Sequence, residues 1–119
     1  MAFKLADLSA EYWAPGYIAF YNADGNKETR QFMAQWPRMD QNAIDAHLGA
    51  IDAGTLDERG FLDENLLNWK NIHGADGAAL PCNKEGLDIF CKVAECRKRL
   101  IQSWISSINV TPEIEKVKN

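Results

Sequence analysis

Residues 17–36 carry the pattern of a β-hairpin, and this pattern fixes the first element of the fold. Residues 17–21 are aromatic and β-branched, a composition typical of strands. Asp24-Gly25 follows, and this dipeptide is the strongest short signal for a hairpin turn. The next residues alternate until Pro37, which has no amide hydrogen to donate and therefore ends the ladder. The face predicted for the second strand consists of Arg30, Phe32, Ala34 and Trp36.

From Asp40 the hydrophobic period changes from that of a strand to that of a helix. Asp40 can cap the first helix and Gly54 can end it. Its predicted core-facing stripe consists of Ile44, His47, Leu48 and Ile51. Because His47 lies on this stripe, we predict that it is a residue at the edge of the core rather than a ligand for a metal or substrate.

Two further helical segments are predicted. Thr55 and Glu58 have the spacing of a capping box, which indicates a second helix running on through the next apolar residues as far as Trp69. Residues 73–81 form a turn rich in helix breakers. Asn83 can cap the last segment, which its apolar pattern predicts as one long helix. The apolar stripe of that segment consists of Leu87, Phe90, Ala94, Ile101, Trp104, Ile105 and Ile108.

These elements predict an α+β fold in which an N-terminal β-hairpin packs on a mainly α-helical body of three to four helices. We predict a single domain over residues 1–108, since a chain of 119 residues suits one hydrophobic core. Residues 109–119, which are broken by Thr111-Pro112, are expected to form a mobile C-terminal tail.

The charge and hydropathy of the chain disfavour several partners. Thirteen Lys and Arg stand against 17 Asp and Glu, whereas sequence-independent nucleic-acid binding depends on a dense positive surface. No apolar run approaches the roughly 20 residues of a membrane span, and residues 1–7 do not resemble a signal peptide. All of the net charge of -4 lies in residues 1–60. The neutral C-terminal half is therefore the predicted surface for self-association or for contact with a partner.

The sequence predicts no catalytic or metal-binding constellation, and therefore no enzyme and no cofactor. Three cysteines are an odd number without a close Cys-x-x-Cys pair, and neither histidine belongs to a zinc-binding spacing. Small reduced thiols within the fold are the favoured interpretation. A small metal or redox protein is the alternative, and it would be built on Cys82, Cys91 and Cys96.

Two stretches with distinct motifs carry a resemblance to a known family. Residues 32–39, FMAQWPRM, follow the pattern Phe-x-Ala-x-aromatic-x-Arg-apolar. Residues 66–72, LLNWKNI, precede an Asp-Gly and then a Leu-Pro dipeptide. Over residues 1–108 this order resembles that of the tail assembly chaperones of long-tailed, siphovirus-type bacteriophages. In that family the first pattern closes a hairpin, and the second series contains Gly-Trp-x-Gly. The matching residues are Phe32, Ala34, Arg38, Asp76, Gly77, Leu80 and Pro81.

The chain departs from the family pattern in two places. Asn68 and Asn71 stand where the family often has glycines, which affects the expected backbone around Trp69. The last segment lacks the proline that commonly breaks it in the family. The resemblance therefore leaves open whether this segment is one helix or two.

The resemblance implies a non-enzymatic function in viral tail assembly. Such a chaperone binds the phage tape measure protein in the cytoplasm of the infected or lysogenic host and keeps it soluble while the tail tube polymerises. Implied properties are a homo-oligomer, the major tail tube protein as a further partner, an origin in a phage or prophage, and absence from the mature virion. The candidate partner-binding residues are Trp13, Trp36, Trp69, Phe90, Trp104, Ile105 and Ile108.

Among the tryptophans, Trp69 and Trp104 lie on predicted helix stripes and are expected in the core. Trp13 and Trp36 are the ones expected to be exposed. The alternative function is that of a structural minor tail component, a terminator or connector that stays in the virion.

Overall fold

Within the residues that the structure describes, a three-stranded antiparallel sheet packs against a body of four α-helices. The computed structural model describes residues 1–93 and 95–110. Strands β1 (Glu11–Tyr21) and β2 (Lys27–Pro37) form the hairpin, and the sheet order is β1-β2-β3. The α+β class predicted from the sequence is confirmed. Most of the predicted C-terminal tail, residues 111–119, lies outside the described residues.

The hairpin places one apolar face against the helices. In its register, Ala14 lies opposite Ala34 and Gly16 opposite Phe32. The side chains of Phe32, Ala34 and Trp36 are buried, so the shared face predicted for β2 is confirmed. Gly16 leaves room for the Phe32 ring, since a Cβ atom at residue 16 would lie 2.2 Å from that ring.

Strand β1 begins at Glu11 rather than at Tyr17. Ala14-Pro15-Gly16 resembles a strand breaker in the sequence, but Pro15 lies on the edge strand of the sheet. The Arg38 amide donates to the Ala10 carbonyl, and the Asn22 amide donates to the Asn26 carbonyl. These bonds show which β1 residues pair with β2. The backbone N–H and C=O groups of even-numbered β1 residues bond to β2, and those of odd-numbered residues point toward the free edge. The missing N–H of Pro15 therefore faces the free edge, where a strand tolerates proline.

Helix α1 (Gln41–Ala53) matches its prediction closely. The Asp40 carboxylate accepts a hydrogen bond from the Ala43 amide at 2.9 Å, and Gly54 ends the helix in the left-handed conformation. His47 is half-buried, and its ring makes edge contacts with Phe61 and Trp104 at centroid distances of 4.8 and 5.8 Å. The prediction of a histidine at the edge of the core is confirmed.

The second helix is shorter than predicted. Helix α2 (Glu58–Asn65) is capped by Asp57, whose carboxylate accepts a hydrogen bond from the Gly60 amide. The prediction of a capping box at Thr55 is therefore wrong. The chain then turns into β3 (Asn68–Lys70), which pairs with β2. The prediction that this helix continues through Trp69 is therefore also wrong. Trp69 lies opposite Ala34 in the sheet, and its side chain points into the core.

The last segment is two helices, α3 (Lys84–Lys92) and α4 (Cys96–Ile108), so the single long helix predicted from its apolar stripe is wrong. The chain leaves α3 with Val93 in an extended conformation, and Glu95 has a φ of 73°. The Asn83 side chain accepts from the Gly86 amide at 2.8 Å, which confirms the predicted cap of α3. Helix α4 packs against β1, α2 and α3. Its fully buried residues Leu100 and Trp104 make it the central element of the core.

Candidate interaction surface

Most of the aromatic residues expected to contact a partner are parts of the core. Trp36, Trp69, Phe90 and Trp104 are all buried. Trp69 and Trp104 were expected there, but the prediction that Trp36 is exposed is wrong. Trp36 shares the inward face of β2 with Phe32 and packs against Phe61 at a centroid distance of 6.1 Å. In this conformation a partner cannot reach these four side chains.

The other three candidates lie nearer the surface. Ile105 and Ile108 are half-buried on α4 and pack against the core cluster. Trp13 points to the opposite face of the sheet, where the Lys70 ammonium group lies 4.0 Å from the centroid of its ring. A cation at this distance is attracted by the negative face of an indole. Of the predicted residues, Trp13 alone lines the groove described next.

An apolar groove runs between the free edge of β1 and helix α4, and we call it the edge groove. Its cavity volume is about 410 Å³, and its surface is mainly apolar. Its lining residues include Tyr12, Trp13, Pro15, Tyr17, Arg99, Gln102, Ser103, Ser106, Ser107 and Val110. Three of the α4 residues are serines, whose small side chains leave the space that larger residues would fill.

Two hydrogen bonds hold the walls of the edge groove together. The Ser103 hydroxyl donates to the Pro15 carbonyl at 3.0 Å, and the Tyr12 hydroxyl lies 2.8 Å from that of Ser107. Each bond joins β1 to α4, and the bonded residues are 88 positions apart in the first pair and 95 in the second. Sequence reasoning missed it, although serines at positions i, i+3 and i+4 of one helix were a signal of a shallow, small-residue face.

The free edge of β1 offers backbone groups to the groove. In the phase of the ladder, Trp13 and Tyr17 point both their N–H and C=O groups outward. Pro15, between them, has no N–H, and its carbonyl already accepts from Ser103. Within the groove, the edge can therefore form backbone hydrogen bonds at Trp13 and Tyr17 but not at Pro15 between them. Such an interruption is a common way to prevent uncontrolled pairing of edge strands.

The family-motif residues hold the structure together around the hairpin. Phe32 and Ala34 lie in the core. The Arg38 guanidinium donates from Nε to the Ser9 carbonyl at 2.7 Å and lies 4.9 Å from the centroid of the Tyr12 ring. Arg38 therefore fastens the residues before β1 to the end of β2.

The second motif series connects β3 to α3. The Trp69 indole donates from Nε1 to the Leu80 carbonyl at 2.6 Å. Gly77 occupies the turn with a φ of 83°, and the Asp76 carboxylate accepts from the Ala78 amide at 3.0 Å. The Pro81 carbonyl lies against the first turn of α3 at Gly86. Each of these motif residues therefore has a structural task.

Lys92, Arg97, Lys98 and Arg99 form a basic cluster on the last segment, and its two neighbouring arginines, Arg97 and Arg99, lie beside acidic side chains. Arg97 donates to Glu58 at 2.8 Å, and Arg99 lies 3.4 Å from Glu95. Nearby, Arg59 forms ion pairs with Asp63 and Asp88 at 2.9 and 2.6 Å. This region is a mixed-charge surface rather than a dense positive patch.

The cysteine thiols are free and lie within the fold. Burial raises the pKa of the Cys82 thiol to about 11, and it also raises the pKa values of Cys91 and Cys96. Within residues 1–93 and 95–110, no group of three His, Cys, Asp or Glu side chains is arranged to hold a metal ion. None of the helices in these ranges is long and apolar enough to cross a bilayer.

The raised pKa of Cys82 predicts slow alkylation in the native protein. At about pH 8, a thiol with a pKa near 11 has a thiolate fraction about two orders of magnitude below that of an ordinary cysteine. We expect iodoacetamide to modify Cys82 more slowly by that factor than in the same chain in denaturant. Peptide mass spectrometry of timed samples measures both rates. Equal rates in the two states would contradict the burial of this thiol.

The chain was compared with protein families, curated proteins and solved structures. No protein-family model, curated protein or solved structure matches the chain.

Proposed function

We propose that this chain is a non-enzymatic tail assembly chaperone of a long-tailed bacteriophage. It binds the tape measure protein in the host cytoplasm and keeps it soluble until the tail tube polymerises around it. The observation that carries the proposal is the edge groove, a mainly apolar surface between β1 and α4 that no residue within 1–93 or 95–110 covers. A chaperone for a long helical chain needs such a surface, because amphipathic helices bind by placing their apolar stripe in a groove.

The chemistry of the edge groove fits an apolar segment of a partner. Trp13 and Tyr17 supply large, rigid aromatic surface, which loses little conformational entropy on binding. Arg99 is the single charged residue in the lining. The motif residues have structural roles within the fold, since Arg38 donates to the Ser9 carbonyl and the Leu80 carbonyl accepts from the Trp69 indole.

Co-expression with the tape measure protein of the same phage tests the function. We expect the wild-type chain to increase the soluble amount of that protein and to co-purify with it. Ser106→Trp should abolish both effects, because an indole at residue 106 fills the edge groove. Lys98→Trp is the matched control, since residue 98 is exposed on the same helix outside the groove lining, and it should behave as wild type.

Three outcomes would count against the proposal or change it. A tape measure protein that stays insoluble beside the wild-type chain overturns the proposed function. Full activity of Ser106→Trp would place the docking surface elsewhere. Stoichiometric amounts of this chain in purified virions would favour a structural terminator or connector instead, and mass spectrometry measures that amount.

A further inference from the structure

Residues 17–21 of β1 form an apolar stretch of strand on the free edge of the sheet, and we call them the tip edge. Tyr17, Phe20 and Tyr21 are 53%, 41% and 76% exposed, and Ala19 is also exposed. Among the residues that the structure describes, no strand pairs with β1 on this side, since the sheet order is β1-β2-β3. An exposed, hydrophobic edge strand is a template for pairing with another strand.

The opposite edge of the hairpin differs from the tip edge in its charge. Within the described residues, β3 pairs with residues 33–35 of β2 and does not reach residues 27–31. Residues 27–31 have the sequence KETRQ, in which three of five side chains are charged, whereas the tip edge has the sequence YIAFY, in which none is charged. Charged side chains are a common protection of edge strands against pairing. The hairpin therefore has one protected edge and one edge that is suited to pairing.

We propose that two copies of the chain pair antiparallel through their tip edges, with Ala19 of one copy opposite Ala19 of the other. A two-fold axis then joins the two three-stranded sheets into one continuous sheet. This inference goes beyond the proposed function and does not rest on it, because the pairing needs no other protein. The edge groove runs along residues 12–17 of β1, so Tyr17 alone belongs to both surfaces. Self-association is thereby placed in the hairpin rather than in the C-terminal half, where the charge distribution predicts it.

The backbone groups of the tip edge fit this register. The N–H and C=O groups of odd-numbered β1 residues point toward the free edge, because Ala10 and Asn22 bond to the residues opposite them. Tyr17, Ala19 and Tyr21 therefore present both groups to a second copy. With Ala19 on the axis, odd-numbered residues face odd-numbered residues. Each of these facing pairs can exchange two backbone hydrogen bonds.

The side chains of the tip edge are complementary to themselves in the same register. Tyr17 of each copy lies opposite Tyr21 of the other, and Ile18 lies opposite Phe20. Aromatic–aromatic and aromatic–β-branched pairs are among those that stabilise neighbouring antiparallel strands. Because the tip edge contains no charged side chain, the axis brings no like charges opposite each other.

Pro15 determines where the pairing ends. In this register it faces Ala23 of the second copy, which lies beyond the end of β1 at Tyr21. The missing N–H of Pro15, and its carbonyl that already accepts from Ser103, therefore remove no hydrogen bond from the pairing. Residues 17–21 span about 17 Å of strand. Small interfaces are weak, so we expect a dimer dissociation constant of roughly 10–100 µM.

Ala19 faces its own copy across the axis, and this position gives a test by sedimentation equilibrium. Its side chain is exposed, so Ala19→Lys and Ala19→Glu should leave the midpoint of denaturant unfolding close to that of the wild type. Each variant alone places like charges opposite each other and should raise the dimer dissociation constant about tenfold or more. An equal mixture of the two variants places opposite charges at the axis and should recover a mixed dimer.

Thr29→Lys and Thr29→Glu are the matched controls. Thr29 lies opposite Ala19 within the hairpin, one strand farther from the axis, and it is also exposed. In the dimer, three strand spacings of about 4.8 Å separate the two Thr29 positions by about 14 Å. This separation exceeds the Debye length of about 8 Å at physiological salt. We therefore expect both Thr29 variants to dimerise as the wild type does.

Amide hydrogen exchange locates the contact independently. The amides of Tyr17, Ala19 and Tyr21 should exchange more slowly as the protein concentration rises. Those of Ile18 and Phe20 already bond to β2, so their exchange should not respond to dimerisation.

Four results would each overturn the proposal. These are a wild-type chain that stays monomeric well above the expected dissociation constant, Ala19 variants that dimerise like the wild type, a mixture that does not recover the dimer, and exchange at Tyr17, Ala19 and Tyr21 that is independent of concentration. The tape measure protein is absent from these experiments, so their failure leaves the proposed function standing.

Discussion

Replacing Trp104 with alanine should lower the free energy of unfolding by about 3–5 kcal/mol, the usual cost of removing a large aromatic side chain from a core. Trp104 is 0% exposed and packs against the ring of Phe61 at a centroid distance of 4.9 Å. Its indole N–H has no hydrogen-bond partner among the described residues, so lost packing and the resulting cavity set the cost. Denaturant unfolding followed by far-UV circular dichroism measures it without relying on tryptophan fluorescence.

Trp13→Ala is the matched control for this prediction. The same atoms are removed, but Trp13 is half-buried on the outer face of the sheet, and its ring contact with Lys70 is worth about 0.5–1 kcal/mol. We therefore expect Trp13→Ala to cost less than about 1.5 kcal/mol while weakening binding in the edge groove. If the two substitutions cost the same, the assignment of Trp104 to the core and Trp13 to the surface is wrong.

The parts of the fold predicted correctly are those set by local chemistry. Asp40 and Asn83 cap helices because a short polar side chain reaches amides within the next turn, and Gly54 ends α1 because its φ of 71° disfavours a side chain. The alternation in β2 likewise depends on neighbours in sequence. Each of these signals needs no knowledge of distant parts of the chain.

The errors occurred where distant contacts override local preference. Residues 66–69 are apolar enough to continue a helix, but pairing of Trp69 with Ala34 of β2 makes this segment a strand. Trp36 was expected to be exposed near the end of the hairpin. Its burial follows from the helices packing on the inward face of the sheet, a choice that the alternation alone does not make.

The candidate site was the least predictable part for the same reason. Selecting partner-binding residues by type favours tryptophans, but large aromatic residues fill cores as readily as interfaces. The edge groove instead depends on small residues, Ser103, Ser106 and Ser107, brought beside β1 by the packing of α4. Its position becomes visible only when the strand edge and the helix are seen together.

Replacing Gly86 with alanine should destabilise the protein by about 2–3 kcal/mol, although alanine is the better helix former. A Cβ atom at residue 86 would lie 1.8 Å from the Pro81 carbonyl oxygen. That oxygen belongs to the backbone, so the clash can be removed only by moving the backbone at Pro81. The adjacent Leu80 carbonyl accepts the hydrogen bond from the Trp69 indole, and this bond resists the movement. The cost should appear as a lower midpoint of denaturant unfolding, measured by tryptophan fluorescence and far-UV circular dichroism together.

Gly49→Ala makes the same chemical change in α1 and should have the opposite sign. Apart from the neighbouring residues and the backbone of its own helix, no described atom lies within 4 Å of a Cβ built at residue 49, and residue 49 is exposed. Alanine there reduces the conformational freedom of the unfolded chain and should stabilise the protein by about 0.5–1 kcal/mol. Because helix propensity is common to both sites, the difference between the two variants isolates the contact of Pro81 with α3. Equal effects of both substitutions would mean that Pro81 does not press on the first turn of α3, and the path of the chain from β3 to α3 would then be wrong.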